Sequence, residues 1–434
     1  MRRMGTIAAL VLACAASVVV TPVSATAQTR ASRVRLSAVE TCLTRIEPAV
    51  IWESLDVSRD GKRVGYAMGV GEKAIAPNTG SREYRQMAVV VDGVVQEQSR
   101  WAGGVVFSPD GKRVAYAVER GGKRCVVVDG IAGSGYDGIR PWVPVFSADG
   151  RHVGYVAVRN GKGLVIIDGI EGPEYDSVSD MVFSPDSRRA ACAAAAAGKS
   201  FVVVDGVEGP RYDGVWGLVF SRDGRRFAYC ASRGRDQMVV LDGVEGRKCG
   251  WVQQPSFSPD GRRIAYAARR GETPIAVVGE KEYPGGGEPV FSPDGKRVAF
   301  PMQVGTKSVA MIDGVRADRE YSSLWIRGFS PDSRRIAYTA QAENGMVTVV
   351  DSEPYEGGSD EVVFGPDGRH LACWTQRGEG WALIVDGVVA GVYDVFCRGT
   401  DGRARMGFAD AGSLWAIAHR GLDVVRIEVK IKEE

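Results

Sequence analysis

One stretch of sequence, Phe107-Ser-Pro-Asp-Gly-Lys-Arg-Val-Ala-Tyr116, recurs along the chain and constrains the fold more than any other feature. The spacing between neighbouring signature aspartates, from Asp110 to Asp367, is 34 to 39 residues. A period near forty residues indicates a repeat architecture built from small supersecondary units. Related copies begin at Phe146, Phe183, Phe220, Phe257, Phe291, Phe329 and Phe364, with a degenerate first copy at Val57 and a worn last copy at Phe408.

Each repeat predicts four short antiparallel strands. A strand ends at the signature Phe, and Pro-Asp-Gly then forms a tight turn, because Pro fixes φ, Asp caps backbone N–H groups and Gly accepts a positive φ. The second strand begins at Arg113, and the apolar run Cys125–Val128 is the third. Asp129-Gly130 predicts a second hairpin turn on the same face. A short, tyrosine-containing fourth strand completes the repeat and leaves no room for a helix.

The Phe-Ser-Pro-Asp-Gly-Lys/Arg-Arg-x-Ala-Tyr/Phe pattern resembles the WD40-like (PD40) propeller repeat, which also forms the propeller of TolB-type periplasmic proteins. The resemblance covers nearly the whole chain after its first residues. It implies an all-β fold, a β-propeller of four-stranded antiparallel blades. Two features depart from the family, namely the Val-Val-Val-Asp-Gly wording of the third strand and the lack of the N-terminal domain of TolB.

The signatures give about nine to ten repeat units, more than the four to eight blades typical of propellers. The last unit lacks a fourth strand, whereas the alternating segment Arg33–Val39 predicts a half-buried strand outside the repeats. We hypothesise that this strand completes the last blade and closes the ring; two rings are the alternative. The predicted organisation is a signal peptide at 1–27, a stub with the closing strand at 28–49, and propeller repeats at 50–434.

The first residues have the pattern of a secretory signal. Arg2 and Arg3 precede an apolar run, and Ala25-Thr26-Ala27 is a small-x-small cleavage site. We therefore expect an exported protein, periplasmic or extracellular. Tethering to a membrane by the N-terminus, including lipidation at Cys14, is the alternative, and no later stretch predicts an integral membrane domain.

Composition excludes some partners. The formal net charge of +2 argues against a nucleic-acid binder that relies on bulk charge. The eight cysteines have no regular spacing, so we expect at most one or two disulfides. Cys192 and Cys373 stand where other repeats have Tyr, which indicates small core residues. No Cys or His cluster suggests a metal, and we expect no cofactor.

The charged residues of the signature have two interpretations. Each Asp could be a calcium ligand, but one carboxylate already needed by a turn makes a poor calcium site. The tandem bases, such as Lys112-Arg113 and Arg225-Arg226, could form an anion-binding face. Alternatively, they pair with the acidic residues of neighbouring hairpins, which the low net charge favours.

Enzymatic motifs are absent from the sequence. There is no Gly-x-Ser-x-Gly elbow. We interpret His152, His370 and His419 as surface substitutions and not general bases. Carboxylates that converge only in three dimensions would support the alternative class, a hydrolase or lyase acting on saccharide or peptide.

Three tryptophans are the candidate binding residues. Trp142, Trp216 and Trp325 each stand four residues before a signature Phe, where other repeats have Ser179, Gln253, Gly287 or Asp360. Tryptophan is favoured at binding hot spots, and variable positions on a rigid frame often carry recognition. Wedging between adjacent blades is the structural alternative. The sequence thus predicts an exported, monomeric, non-catalytic scaffold that binds a protein, peptide or cell-envelope component through its loop face.

Overall fold

A computed structural model describes residues 18–19, 25–28, 33–45, 55–75, 82–343, 345–356, 361–398, 404–421 and 423–433. Every regular element in these ranges is a β-strand, so the protein is all-β as the repeats predict. The predicted signal peptide lies mainly outside the described residues. Within them, no helix is long and apolar enough to span a membrane.

The strands follow the chain order of the repeats. The first half contains β1 Val18–Val19, β2 Ala25–Gln28, β3 Arg33–Arg45, β4 Asp56–Val57, β5 Val64–Ile75, β6 Arg82–Val91, β7 Val94–Ser99, β8 Ala102–Phe107, β9 Val114–Arg120, β10 Lys123–Val128, β11 Ile131–Ala132, β12 Gly138–Phe146, β13 Val153–Arg159, β14 Lys162–Ile167, β15 Ile170–Tyr175, β16 Ser177–Phe183, β17 Ala190–Ala196, β18 Lys199–Val204, β19 Val207–Glu208, β20 Gly214–Phe220, β21 Phe227–Arg233, β22 Asp236–Leu241 and β23 Val244–Glu245. The second half contains β24 Trp251–Val252, β25 Ser256–Phe257, β26 Ile264–Arg270, β27 Thr273–Val278, β28 Lys281–Pro284, β29 Val290–Phe291, β30 Val298–Val304, β31 Lys307–Ile312, β32 Val315–Arg316, β33 Ser323–Phe329, β34 Ile336–Ala342, β35 Gly345–Val350, β36 Glu353–Glu356, β37 Val362–Phe364, β38 Leu371–Arg377, β39 Gly380–Val385, β40 Val388–Tyr393, β41 Val395–Phe396, β42 Met406–Asp410, β43 Ser413–Arg420 and β44 Asp423–Glu433.

The strands form antiparallel sheets that follow one another along the chain. Sheets 1 to 5 are β4–β7, β8–β11, β12–β15, β16–β19 and β20–β23; sheets 6 to 9 are β24–β28, β29–β32, β33–β36 and β37–β40. In all of them except sheet 6 the strands lie side by side in sequence order, because tight hairpins connect them. In sheet 6, β24 and β25 both pair with β26. Sheet 10 contains β41–β44 together with β3, β1 and β2 from the start of the chain.

The signature turn has the structure that its residues predict. The Ser108 hydroxyl donates to Asp110 at 2.6 Å, and the same Asp110 oxygen accepts the backbone N–H of Lys112 at 3.1 Å. Gly111 has φ +70°, which a side chain would strain. These contacts hold the pKa of Asp110 below its usual range, with the Ser108 hydrogen bond as the main cause. The aspartate is therefore a turn residue.

The Asp-Gly turn lies on the same face as the signature turn. Asp129 and Gly130 both have positive φ, as this hairpin turn requires. One Asp129 carboxylate oxygen accepts the Val114 N–H, and the other accepts the Arg113 guanidinium. We call the surface that carries both kinds of turn the turn face.

Hydrophobic clusters join each sheet to the next one in the chain. Tyr155 of sheet 3, for example, packs with Ala117 and Val126 of sheet 2. The same relation connects sheet 10 with sheet 1, since Ile417 and Val424 pack with Leu55, Val57, Val64 and Tyr66. The core is thus a series of inter-sheet layers, as expected for stacked blades.

Strand β3 of sheet 10 comes from the N-terminal part of the chain and lies between β44 on one side and β1 and β2 on the other. β3 pairs antiparallel with β44 from Val34↔Glu433 to Arg45↔Asp423. Val34, Leu36 and Ala38 are buried and the residues between them are exposed, which confirms the predicted half-buried strand. Glu40 of β3 accepts the Tyr393 hydroxyl at 2.9 Å, as Glu171 accepts the Tyr136 hydroxyl at 2.8 Å between sheets 2 and 3. β3 therefore makes the contact of a fourth strand.

Candidate binding site at the central cavity

The candidate tryptophans lie within innermost strands and not in the connections that precede them. Trp142 belongs to β12, Trp216 to β20 and Trp325 to β33. We expected these residues in the connection that precedes the innermost strand, and this was wrong. The innermost strand begins before each tryptophan, and a β-bulge close to each of these positions lengthens the strand. The side chain of Trp142 lies outside the described residues.

The two described tryptophan side chains have different environments. Trp216 is partly buried and packs against the cluster between sheets 5 and 6, which includes Cys230 and Val252. Trp216 therefore packs between two adjacent sheets, as the alternative to a binding role predicts. Trp325 is 46% exposed and is available to a partner. Trp251 of β24 is also 46% exposed, and the spacing argument missed it because it stands six residues before Phe257.

A cavity of about 1400 Å³ lies along the innermost strands. Sheets 1, 2, 3, 8, 9 and 10 contribute to it, so residues from both ends of the chain line one space. Ile326 and Arg327, which directly follow Trp325, are on its wall. The lining combines apolar residues such as Phe107 and Met406 with charged ones, which gives it the mixed character of a recognition surface.

A buried ion pair lies at the junction of sheets 1 and 10. Asp56 of β4 and Arg405 are 2.7 Å apart, and both line the cavity. Burial raises the pKa of the Asp56 carboxyl, while the Arg405 guanidinium and the backbone N–H of Phe107 oppose this rise. Breaking such a pair leaves an uncompensated buried charge. Sequence reasoning missed it because its partners are 349 residues apart.

Two other charged side chains of the cavity also have partners. Glu361 contacts the Arg398 guanidinium at 2.8 Å. The Arg327 Nε donates to the Thr339 hydroxyl at 2.8 Å. These contacts fix the orientation of charged groups along the wall, which suits recognition of a polar ligand.

The tandem bases of the signature have separate roles. The second base pairs with the Asp of its own sheet's Asp-Gly turn: Arg226 contacts Asp242 at 2.8 Å. It also donates to the Gly261 and Arg262 carbonyls of the next signature turn and lies over the Phe257 ring. We call this contact the arginine clasp. It confirms the pairing interpretation for the second base. The contact with the next signature turn is made by Arg63, Arg113, Arg189, Arg226, Arg263, Arg297 and Arg335. Arg263 lacks the pair with an Asp, because Gly279 stands at that turn position.

The first base of each pair points to solvent. Arg225 is 86% exposed and lies 3.8 Å from Asp223 of its own turn. Such exposed pairs contribute little stability. Because each first base has a signature Asp two residues before it, the turn face has no large excess of positive charge.

Histidines His370 and His419 are not surface substitutions, which corrects the sequence interpretation. His370 is buried and contacts Asp386 at 2.7 Å. His419 lies inside β43, is 4% exposed and contacts the Cys397 sulfur at 3.0 Å. Burial lowers the pKa of His419 to about 4 and raises that of the Cys397 thiol, so both are neutral near pH 7. Only His152 is at the surface, bound to Asp168 at 2.6 Å.

Cysteines and metal ligands add no further site. Cys192 and Cys373 are buried, as predicted for core substitutes of Tyr. No disulfide joins two cysteines of the described residues. In the same part of the chain, no three His, Cys, Asp or Glu side chains converge to hold a metal ion.

Comparison with known proteins gives only distant structural similarity. No family model matches the chain, and no curated protein matches it. A crystal structure of a eukaryotic initiation factor has a TM-score of 0.44 at 10% identity, covering 74% of this chain and 96% of its own. The crystal structure of TolB from Acinetobacter baumannii has a TM-score of 0.28 at 18% identity. The match covers 56% of this chain and 64% of TolB. The β-propeller domain of the Trilobed protease from Pyrococcus furiosus has a TM-score of 0.30 at 15% identity. The match covers 58% of this chain and 96% of that domain.

Proposed function

We propose that the protein is an exported, non-catalytic β-propeller scaffold that binds a protein, peptide or cell-envelope component beside the central cavity. The observation that carries this proposal is the exposed indole of Trp325 next to the cavity-lining residues Ile326 and Arg327. An exposed aromatic side chain beside fixed polar groups is typical of binding hot spots. The charged wall would orient the partner, and Trp325 would supply apolar contact area.

The scaffold itself would be one closed ring of ten blades of the WD40-like type. Three observations support this proposal: the pairing of β3 with β44, the cluster between sheets 10 and 1, and the cavity lined from both ends of the chain. Closure removes exposed sheet edges, which would otherwise promote association with other chains. It is therefore compatible with a monomer.

Export follows from the signal-like first residues, with cleavage after Ala27. We propose a periplasmic or extracellular location, with N-terminal tethering as the alternative. Mass spectrometry of the protein recovered from its native compartment tests this. A mature N-terminus at Gln28 is expected, and an intact N-terminus in the cytoplasm would contradict export.

Capture of partners from envelope extract tests the binding proposal. Immobilised wild-type protein, Trp325→Ala and Trp251→Ala are compared, because the two tryptophans are equally exposed and residues beside only one of them line the cavity. We expect Trp325→Ala to lose the captured species and Trp251→Ala to retain it, with unchanged circular dichroism in both. Equal capture by all three proteins, or no capture by wild type, would refute the proposed site.

An enzyme acting on saccharide or peptide is the second candidate, favoured by one observation. Asp56 is a buried carboxyl with a raised pKa in the cavity, which is a property of many general acids. Turnover of a saccharide or peptide by wild type that Asp56→Asn abolishes would replace the binding proposal. The alternative role of Asp56 is structural, since it pairs with Arg405 at 2.7 Å between sheets 1 and 10.

A further inference from the structure

The contact between sheets 3 and 4 differs from the other inter-sheet contacts at two repeat positions. At the first, Cys192 of β17 replaces the tyrosine that faces the preceding sheet in most repeats, such as Tyr155 or Tyr229; Cys373 makes the same exchange in sheet 9. A cysteine fills much less volume than a tyrosine. The flanking residues of β17 are alanines, so the strand offers no larger side chain to fill the space.

At the second position, a histidine replaces the clasp arginine. His152 binds Asp168 of its own sheet as the arginines do. The histidine side chain is shorter than arginine and makes no hydrogen bond to the carbonyls of the next signature turn among the described contacts. The Ser187 hydroxyl of that turn accepts the backbone N–H of Asp149 at 3.0 Å, as the Ser333 hydroxyl accepts that of Asp294 beside the Arg297 clasp. The turn face is therefore less covered here than at an arginine clasp.

Both replacements line the same cavity, which has a volume of about 440 Å³. Its wall is mostly apolar and includes Val165, Tyr175, Met181, Phe183 and Val203 besides Cys192. The volume falls in the range of small-molecule sites. An apolar ligand in this space would remove its apolar walls from water, which is favourable.

The mouth of this cavity carries both acidic and basic side chains. Asp168, Asp205 and Glu171 are engaged by His152, Arg189 and Arg159. Arg188 also lines the cavity, and none of the salt bridges between described side chains includes it. Its nearest acidic neighbour in sequence, Asp186, is bound by the Ser184 hydroxyl and the Arg188 backbone N–H, and the Arg188 charge helps to lower the pKa of Asp186. An anionic group at the mouth would pair with Arg188.

We propose that the cavity between sheets 3 and 4 binds a small amphiphile with one apolar chain or ring system and one anionic end, such as a medium-chain carboxylate. The apolar part lies against Cys192, Met181 and Tyr175, and the carboxylate contacts Arg188. This site is distinct from the central cavity and does not depend on the partner proposed for it.

Isothermal titration calorimetry with dodecanoate tests the site on the whole protein. Wild type is expected to bind one equivalent saturably. Cys192→Tyr restores the repeat residue and fills the cavity, so it should weaken binding by at least about tenfold through lost apolar burial. Arg188→Gln should weaken dodecanoate but leave binding of dodecanol, which has no charge, unchanged.

A matched control separates a filled cavity from a damaged fold. His152→Arg should restore the clasp, narrow the mouth and weaken binding while raising or maintaining the melting temperature. His370→Arg makes the same exchange between sheets 9 and 10 and should leave dodecanoate binding unchanged. No saturable binding by wild type, or equal affinity in wild type, Cys192→Tyr and His152→Arg, would overturn the proposal.

Discussion

At the scale of single residues, the second base of the signature connects two sheets at once. Its guanidinium binds the Asp of its own sheet, the carbonyls of the next turn and the face of the next signature Phe, as Arg226 does with Asp242, Gly261 and Phe257. Hydrogen bonds to charged groups and cation–π contacts both contribute net stability. The first base makes none of the contacts to the next sheet.

The two bases should therefore differ when each is removed. Arg226→Gln is expected to lower the free energy of unfolding by about 1–3 kcal/mol, because it loses the charged hydrogen bonds and the ring contact. Arg225→Gln should change it by less than about 0.5 kcal/mol, as an exposed side chain. Urea denaturation measures both. Equal effects would show that the clasp does not join the sheets in solution.

The buried His419 predicts a pH dependence of stability. Its pKa is about 4 in the folded protein against 6.5 for an ordinary histidine, because burial disfavours the charged ring. Between these values the unfolded chain binds a proton that the folded protein does not. The contribution of His419 to the free energy of unfolding is therefore complete above pH 6.5. It is lost as the pH falls to 4, which lowers the free energy of unfolding by up to about 3 kcal/mol.

Urea denaturation at several pH values checks this window. His419→Gln should flatten the change in stability between pH 6.5 and 4, since glutamine does not titrate. His152→Gln, at a half-exposed surface position, should keep most of the change in stability between pH 6.5 and 4. The same slope in His419→Gln and wild type would show that His419 does not titrate as the structure indicates.

At the scale of elements, β3 illustrates how far sequence reasoning reaches. The alternation of Val34, Leu36 and Ala38 predicts a half-buried strand, and the structure confirms it. The full length of β3, to Arg45, could not be predicted because Val39 to Arg45 has no alternating pattern. Its length follows from pairing with β44, a contact between residues at opposite ends of the chain.

Charged substitutions in β3 test its role as a fourth strand. Leu36 is buried in the core of sheets 9 and 10, so Leu36→Asp should lower stability by about 3 kcal/mol or more. It should also expose the edge of β44 and promote self-association in size-exclusion chromatography. Ser37→Asp, on the exposed side of the same strand, should behave as wild type. A stable, monomeric Leu36→Asp protein would contradict the packing of β3.

At the scale of the whole molecule, the repeat frame is predictable because each copy of the signature states it again. The strands, both turns and the shared turn face all follow from residues within one repeat. The cavities do not, because they depend on pairs of distant residues: Asp56 meets Arg405 only across the junction of sheets 1 and 10. The binding residues are accordingly less predictable than the fold, as the different environments of Trp216 and Trp325 show.

We propose that the ten sheets form a single ring in which the N-terminal strand β3 completes the last blade. Cryo-electron microscopy of the purified chain tests this proposal. The proposal expects one closed ring of ten blades, with β3 paired to β44 beside the first blade. Two smaller rings, or an open arc with an unpaired β44 edge, would contradict it.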